Sequence, residues 1–245
     1  MTPYYDHAGI RIFHGDCRGV LPTLEPVDVV ITDPPYSETT HAGARTSGGG
    51  VLLDGAFGCV DAALLRSVFA LALPRRWLVS FVDWKHVTPL SDEPPSGLEF
   101  VRFGVWVKPN GMPQLTGDRP SHGWEAVGIW HRAGVAKRWN GGGHHAVWTC
   151  NKENGPHPTM KPLRLVGQFV RLFSDPGETI LDPFMGSGTT LVAAKQAGRM
   201  AIGIEREERY CEAASKRLEQ EVLDLAPVPS PLPEQAALLA PESVR

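Results

Sequence analysis

The chain has 245 residues, of which 42% are hydrophobic, and a net charge of −3. That suits one soluble α/β domain with a full core. It excludes a membrane protein, since no apolar run approaches the roughly 18 residues a span needs. No basic, apolar leader opens the sequence, so a secreted chain is not expected. Cys17, Cys59, Cys150 and Cys211 lie too far apart for a CxxC pair, so neither a zinc site nor a disulfide framework is expected, which fits a reducing cytoplasm.

In chain order, residues 11–14 form a short strand ending at Gly15-Asp16. Residues 27–32 read as a buried strand, and Asp33-Pro34-Pro35-Tyr36 comes at its C-terminal end. The two prolines lack N–H groups and fix φ, which predicts a rigid turn with bare carbonyls. Residues 37–58 hold six glycines and are expected to form a mobile lid. Helical apolar spacing covers 60–73, and strands come next at 77–82 and 98–108. Residues 111–123 look like loop, and 125–131 alternates as a strand near the sheet edge. Between Lys108 and Lys152, six basic residues (Lys108, Arg119, Arg132, Lys137, Arg138, Lys152) face only Asp118 and Glu125, a local excess of +4. With tryptophans between them, they make 109–156 a candidate nucleic-acid surface, with Arg119, Lys137, Arg138 and Lys152 as phosphate partners.

A helix is expected at 163–173, entered through Pro162. Residues 179–191, TILDPFMGSGTTL, then read as strand, glycine turn and helix. Glycines allow a ligand close to the backbone, and the helix start points free N–H groups at it. The next strand, 200–204, ends in Glu205, 23 positions after Asp182. An acid there commonly meets a ribose in nucleotide-binding βαβ units. A helix at 207–222 and a disordered proline-rich tail at 225–245 complete the chain. Strands alternating with helices predict a doubly wound, mostly parallel sheet. In such sheets ligands sit beyond the strand C-termini, which brings Asp33 and Asp182 to one crevice.

Asp33-Pro34-Pro35-Tyr36, together with Phe184, Gly186 and Gly188, resembles the S-adenosylmethionine-dependent amino-methyltransferases that act on DNA. The segment His157-Pro158-Thr159-Met160-Lys161-Pro162 matches a further motif of that family. The catalytic motif precedes the cofactor motif, as in the circularly permuted β group, and the likeness spans roughly 12–218. The resemblance implies a circularly permuted Rossmann-like methyltransferase domain over 1–224. It implies Asp33, Pro34, Pro35 and Tyr36 at the target base, with Asp33 also near the cofactor. Asp16 and Cys17 would meet the adenine of the cofactor, and Glu205 its ribose. Asp182, Phe184, Gly186, Ser187, Gly188 and Thr189 would surround its methionine part. Thr159 and Lys161 would reach its carboxylate, and His157 of the same motif would also contact the cofactor. The partner implied is duplex DNA, in the cytoplasm and away from membranes, with a homodimer allowed.

Aspartate at the first motif position goes with adenine N6 in this family and serine with cytosine N4, so adenine is favoured and cytosine stays open. No cysteine adjoins the motif, which argues against the covalent route of cytosine-C5 enzymes. Protein-glutamine methyltransferases begin the catalytic motif with Asn and carry the cofactor motif first. Both features differ here, though an RNA or protein amide substrate, or a module without catalysis, remains an alternative.

Overall fold

The computed structural model describes residues 1–35, 61–153 and 160–219. The glycine-rich stretch at 37–58, Tyr36, His157, Thr159 and the tail at 225–245 fall outside these. Apolar runs with little polar interruption form the sheet centre: β2 (Ile10–His14), β3 (Val29–Thr32), β4 (Trp77–Val82), β8 (Thr179–Asp182) and β9 (Met200–Glu205). All residues of β3 and β4 are buried, as expected for strands covered on both faces. The remaining strands are β1 (Tyr5–His7), β5 (Leu98–Val107), β6 (Trp124–Arg132) and β7 (Val147–Thr149).

Among the described residues these make one nine-stranded sheet in the order β1-β2-β9-β8-β3-β4-β6-β5-β7. The run from β2 to β4 is parallel throughout. The last two strands of the chain, β8 and β9, lie between the early strands β2 and β3, the arrangement a circular permutation produces. β6 runs antiparallel between β4 and β5.

The strand expected near the sheet edge at 125–131 stands third from it, with β5 and β7 outside it. The polar residues that suggested an edge sit near the two ends of β6, where each finds a partner. Glu125 pairs with lysines, and His131 bonds the Arg132 carbonyl through Nδ1 at 2.9 Å. Between them the strand is wholly buried. The edges belong to β1 and β7 instead, two three-residue strands that the sequence pattern did not mark.

Side chains alternate across the sheet and feed two cores. Val29 and Ile31 of β3 and Val79 and Phe81 of β4 face one side. That side is covered by α4 (Leu163–Phe173), α5 (Thr189–Gln196) and α6 (Glu208–Glu219). Val30, Leu78 and Val82 face the other side. There they meet α1 (Cys17–Val20), α2 (Ala62–Ala72) and α3 (Trp84–Asp92). Burying a Leu, Val or Phe side chain contributes about 1.5–3 kcal/mol, so these two layers hold the strand ends in place. The small residues of α5 explain its place at the centre, where Thr189 to Ala194 are all buried.

Candidate active site

The C-terminal ends of four adjacent strands gather the acids singled out in the sequence. His14 of β2 stands beside Glu205 of β9 in register, Asp182 of β8 beside Gly203 of β9, and Asp33 comes directly after β3 next to β8. At three of these ends an acid holds the turn that follows: Asp16 accepts from Arg18 N, Asp182 from Phe184 N and Glu205 from Glu207 N.

Asp16 caps α1, its carboxylate accepting from Arg18 N at 2.9 Å and from the Arg18 guanidinium. These bonds hold it well below the ordinary range, at about 2. Cys17 is buried behind it, and burial pushes its thiol up to about 11, so it is no nucleophile. Gly15 N donates to the Glu205 carbonyl at 2.8 Å, joining this corner to β9.

Glu205 is buried and its two oxygens are both engaged. Oε2 accepts from Gly186 N at 3.0 Å and Oε1 from Glu207 N at 2.8 Å. Burial raises its carboxyl despite those bonds. The acid at the end of β9 therefore shapes the glycine turn after β8. Gly186 and Gly188 in that turn have φ of 49° and 80°, the left-handed region open to glycine. A Cβ on Gly188 would stand 2.8 Å from that of Ala214, whereas one on Gly186 would meet nothing within 4 Å. Gly188 is thus required by packing on α6, and Gly186 leaves open space above the turn. Ser187 and Thr189 are held by Arg217 of α6, whose Nη1 donates to the Ser187 carbonyl at 2.6 Å. Phe184 packs against the core layer that holds Leu181 and Ile204. The first turn of α5 starts at Gly188 with no side-chain cap, so its N–H groups point past the strand ends.

Asp182 is almost wholly buried. Its Oδ1 accepts from Thr32 Oγ1 at 2.7 Å and from Phe184 N at 3.1 Å. Burial pushes its carboxyl up to about 6, with the nearby Asp33 charge adding to it.

Asp33 projects from the end of β3, with Pro34 buried behind it and Pro35 half-buried. Its Oδ2 pairs with Lys161 Nζ at 2.5 Å. Its Oδ1 is buried and has no hydrogen-bond partner among the described residues. Burial drives this carboxyl up to about 6, while the Lys161 ammonium opposes the shift and Glu125 adds to it. Lys161 is buried too, but the carboxylates of Asp33 and Glu125 outweigh that burial and raise its pKa. The lysine expected beside a cofactor carboxylate thus stands on the catalytic-motif acid. Glu125 and Lys108 complete the cluster: Lys161 Nζ is 3.3 Å from Glu125 Oε2, and Lys108 Nζ is 3.1 Å from Glu125 Oε1. In the sequence both count only as surface charge. The available signal was an acid opening an otherwise buried strand.

The expected DNA contacts separate. Arg119 lies in the β5–β6 loop, paired with Asp118 at 2.8 Å. Lys152 is tied by its backbone to Asn110, just beyond Lys108, at 2.7 and 3.0 Å. Both are at the Asp33 end of the sheet. Lys137 and Arg138 are not. Lys137 pairs with Glu99 near the start of β5, and Arg138 with Asp175 and Glu178 just before β8. These are the opposite ends of the strands, so the charge count is corrected there: both cations answer local acids. A cavity of about 640 Å3 also lies away from the acids, lined by Leu24, Val27, Arg75 and Arg132 among others.

Comparison with known proteins agrees with this geometry. The family described as DNA methylase matches residues 79–216, more than half of the chain. Type II methyltransferase M2.DpnII of Streptococcus pneumoniae is 29% identical, over 89% of this chain and 93% of its own. Type II methyltransferase M2.LlaDCHI of Lactococcus lactis subsp. cremoris is 28% identical, over 88% and 91%. Among solved structures, the M1.HpyAVI–SAM complex is 27% identical with a TM-score of 0.67, covering 85% of this chain and 99% of that one.

Proposed function

The chain belongs to the DNA methylase family, and from that premise we propose that it transfers a methyl group from S-adenosylmethionine to the N6 amine of adenine in duplex DNA. One observation carries the reading: the buried Oδ1 of Asp33 at the end of β3, which has no partner among the described residues. A buried acceptor without a donor is costly and asks for a ligand N–H.

The exocyclic amine of adenine is a poor nucleophile because its lone pair is delocalised into the ring. Asp33 Oδ1 accepts one amine N–H and the bare carbonyl of Pro34 the other, which localises the lone pair on nitrogen. When bound, S-adenosylmethionine supplies a methyl group already activated by its sulfonium. The nitrogen–carbon bond would form as the sulfur–carbon bond breaks, the electron pair staying on the sulfur of the departing thioether and one amine proton passing to water. The chain needs only to hold donor and acceptor in line. Because the amine is stacked inside the duplex, the base must flip out, at a cost of a few kcal/mol. Tyr36, next to the prolines, is assigned to stack on it.

The residues present suit the cofactor. The open side of Gly186, the uncapped start of α5 and the buried acid Glu205 are what a nucleoside with an amino-acid tail needs. Asp16 and Cys17 are assigned to its adenine, Asp182 to Thr189 to its methionine part, and Thr159 to its carboxylate, with His157 of the same motif also on the cofactor. M1.HpyAVI is titled as a complex with this molecule. Aspartate at position 33 favours adenine over cytosine. Arg119 and Lys152 are assigned to phosphates within a small DNA-contacting insertion near 109–156 of a single catalytic domain, 1–224. The reading implies a cytoplasmic enzyme.

The test is methylation of duplex DNA by the purified protein with labelled S-adenosylmethionine, against RNA and protein acceptors. Label in DNA alone is expected. Label only in RNA or protein would overturn the reading.

A further inference from the structure

Four side chains of alternating charge run inward from the base of the β5–β6 loop to the methyl-transfer site. Lys108 comes just after β5, Glu125 belongs to β6, Lys161 precedes α4 and Asp33 comes just after β3. Their contacts are 3.1, 3.3 and 2.5 Å in that order. None is more than 27% exposed, and Lys161 is 7% exposed. The Lys161 ammonium also lies 4.8 Å from the Phe81 ring centroid, and that of Lys108 5.4 Å from the Trp106 ring. Buried charges persist only when paired with good geometry. Here two cations and two anions from four separate elements cancel. Moving Lys161 to a cofactor carboxylate would strip a cation from two buried acids at once.

We propose that Lys161 is a positioning residue for Asp33, held in place by Glu125 and Lys108, and that it serves the acceptor amine rather than the cofactor. The inference rests on the function proposed above and deepens it. By taking Oδ2, the lysine fixes the carboxylate plane and leaves Oδ1 as the atom that meets the amine N–H. It also keeps a buried carboxylate ionised, which makes the bond accepted from the amine a charge-assisted, stronger one. Among the described residues, the charged groups facing Asp33 are Lys161, Glu125 and, on β8, Asp182; Lys108 acts through Glu125. Lys161 draws the Asp33 titration down and Glu125 pushes it up.

Those opposite signs supply the test. Single-turnover methyl transfer to duplex DNA is followed against pH for Lys161→Met, Lys161→Arg and Glu125→Gln, and S-adenosylmethionine affinity is measured by calorimetry. For Lys161→Met the acid limb moves to higher pH, by about one pH unit or more, the effect of removing an opposite charge at this range. For Glu125→Gln it moves to lower pH. For Lys161→Arg it stays near wild type. Cofactor affinity stays within about twofold for all three, well under the 1.4 kcal/mol of a tenfold change. Loosened packing would move both limbs in one direction, and that result overturns the proposal. So does about tenfold weaker cofactor binding by Lys161→Met with an unmoved limb. Should Lys161→Met fail to fold, an unmoved limb in Glu125→Gln overturns it equally. Titration of the Asp33 carboxyl by 13C NMR without DNA reads the same shifts. A wild-type protein inactive on DNA would therefore sink the proposed function and leave this inference separately decided.

Discussion

Glu205 joins the glycine turn to the end of β9, and its replacement by glutamine separates two roles. The native carboxylate accepts from Gly186 N at 3.0 Å and from Glu207 N at 2.8 Å. A glutamine has one acceptor oxygen, so one of these bonds is lost and an NH2 faces a backbone N–H. A hydrogen bond to a charged group contributes about 1.5–3 kcal/mol, so unfolding free energy should fall by about that much. Glu205 is also assigned to the ribose hydroxyls. Losing the charged acceptor there should weaken S-adenosylmethionine binding to a comparable extent, about 1.5–3 kcal/mol or roughly 10- to 150-fold. Urea unfolding gives the first quantity and calorimetry, at a temperature where the variant is fully folded, the second. Lower stability with unchanged affinity would refute the ribose role and leave Glu205 a purely architectural residue.

Charges placed by the fold give two further expected outcomes. Asp182 is 3% exposed and its carboxyl is raised from 3.8 to about 6, so the folded state holds its proton more tightly than the unfolded chain. Its contribution to stability is therefore full below about pH 4 and is lost as pH rises through about 6, a change on the order of 3 kcal/mol. Asp182→Asn should flatten that decline in urea midpoints measured between pH 4 and 7; an identical decline in variant and wild type would contradict the assignment. For DNA, replacing Arg119 and Lys152 together by Ala should flatten the slope of log affinity against log salt by up to about 2. Replacing Lys137 and Arg138, at the far end of the strands, should leave the slope unchanged and cost at most about 1 kcal/mol of stability, the range for exposed ion pairs. A flattened slope in the second pair and not the first would reverse the placement of the DNA surface.

The residues that end strands were legible in the sequence because a buried parallel strand is a short apolar run with an abrupt polar end. Asp33, Asp182 and Glu205 each close such a run, and the structure brings them to one end of the sheet although 149 positions separate the first two. The glycine turn was legible for a local reason, the need for left-handed backbone at Gly186 and Gly188. Among the site features, those that escaped were pairwise. Lys137 and Arg138 read as part of a basic patch, yet their acids come from β5 and from the segment before β8, which no local pattern links to them. Lys161 was placed beside the cofactor by resemblance, and its partner Glu125 lies on a strand whose position beside β4 depends on the whole topology. Helix α3 was missed because its apolar content is low and Pro89 interrupts it. Its start is fixed by Asp83, which accepts from Lys85 N at 3.0 Å.

Whether Asp33 prepares an adenine amine for direct methylation is decided by one labelling experiment. Duplex DNA is incubated with the protein and S-adenosylmethionine carrying an isotopic methyl label, digested to nucleosides and read by mass spectrometry, for wild type and Asp33→Ala. Labelled N6-methyladenine is expected from the wild type and none above background from a folded Asp33→Ala protein. Labelled N4-methylcytosine in place of N6-methyladenine, or near-wild-type label from Asp33→Ala, would contradict it.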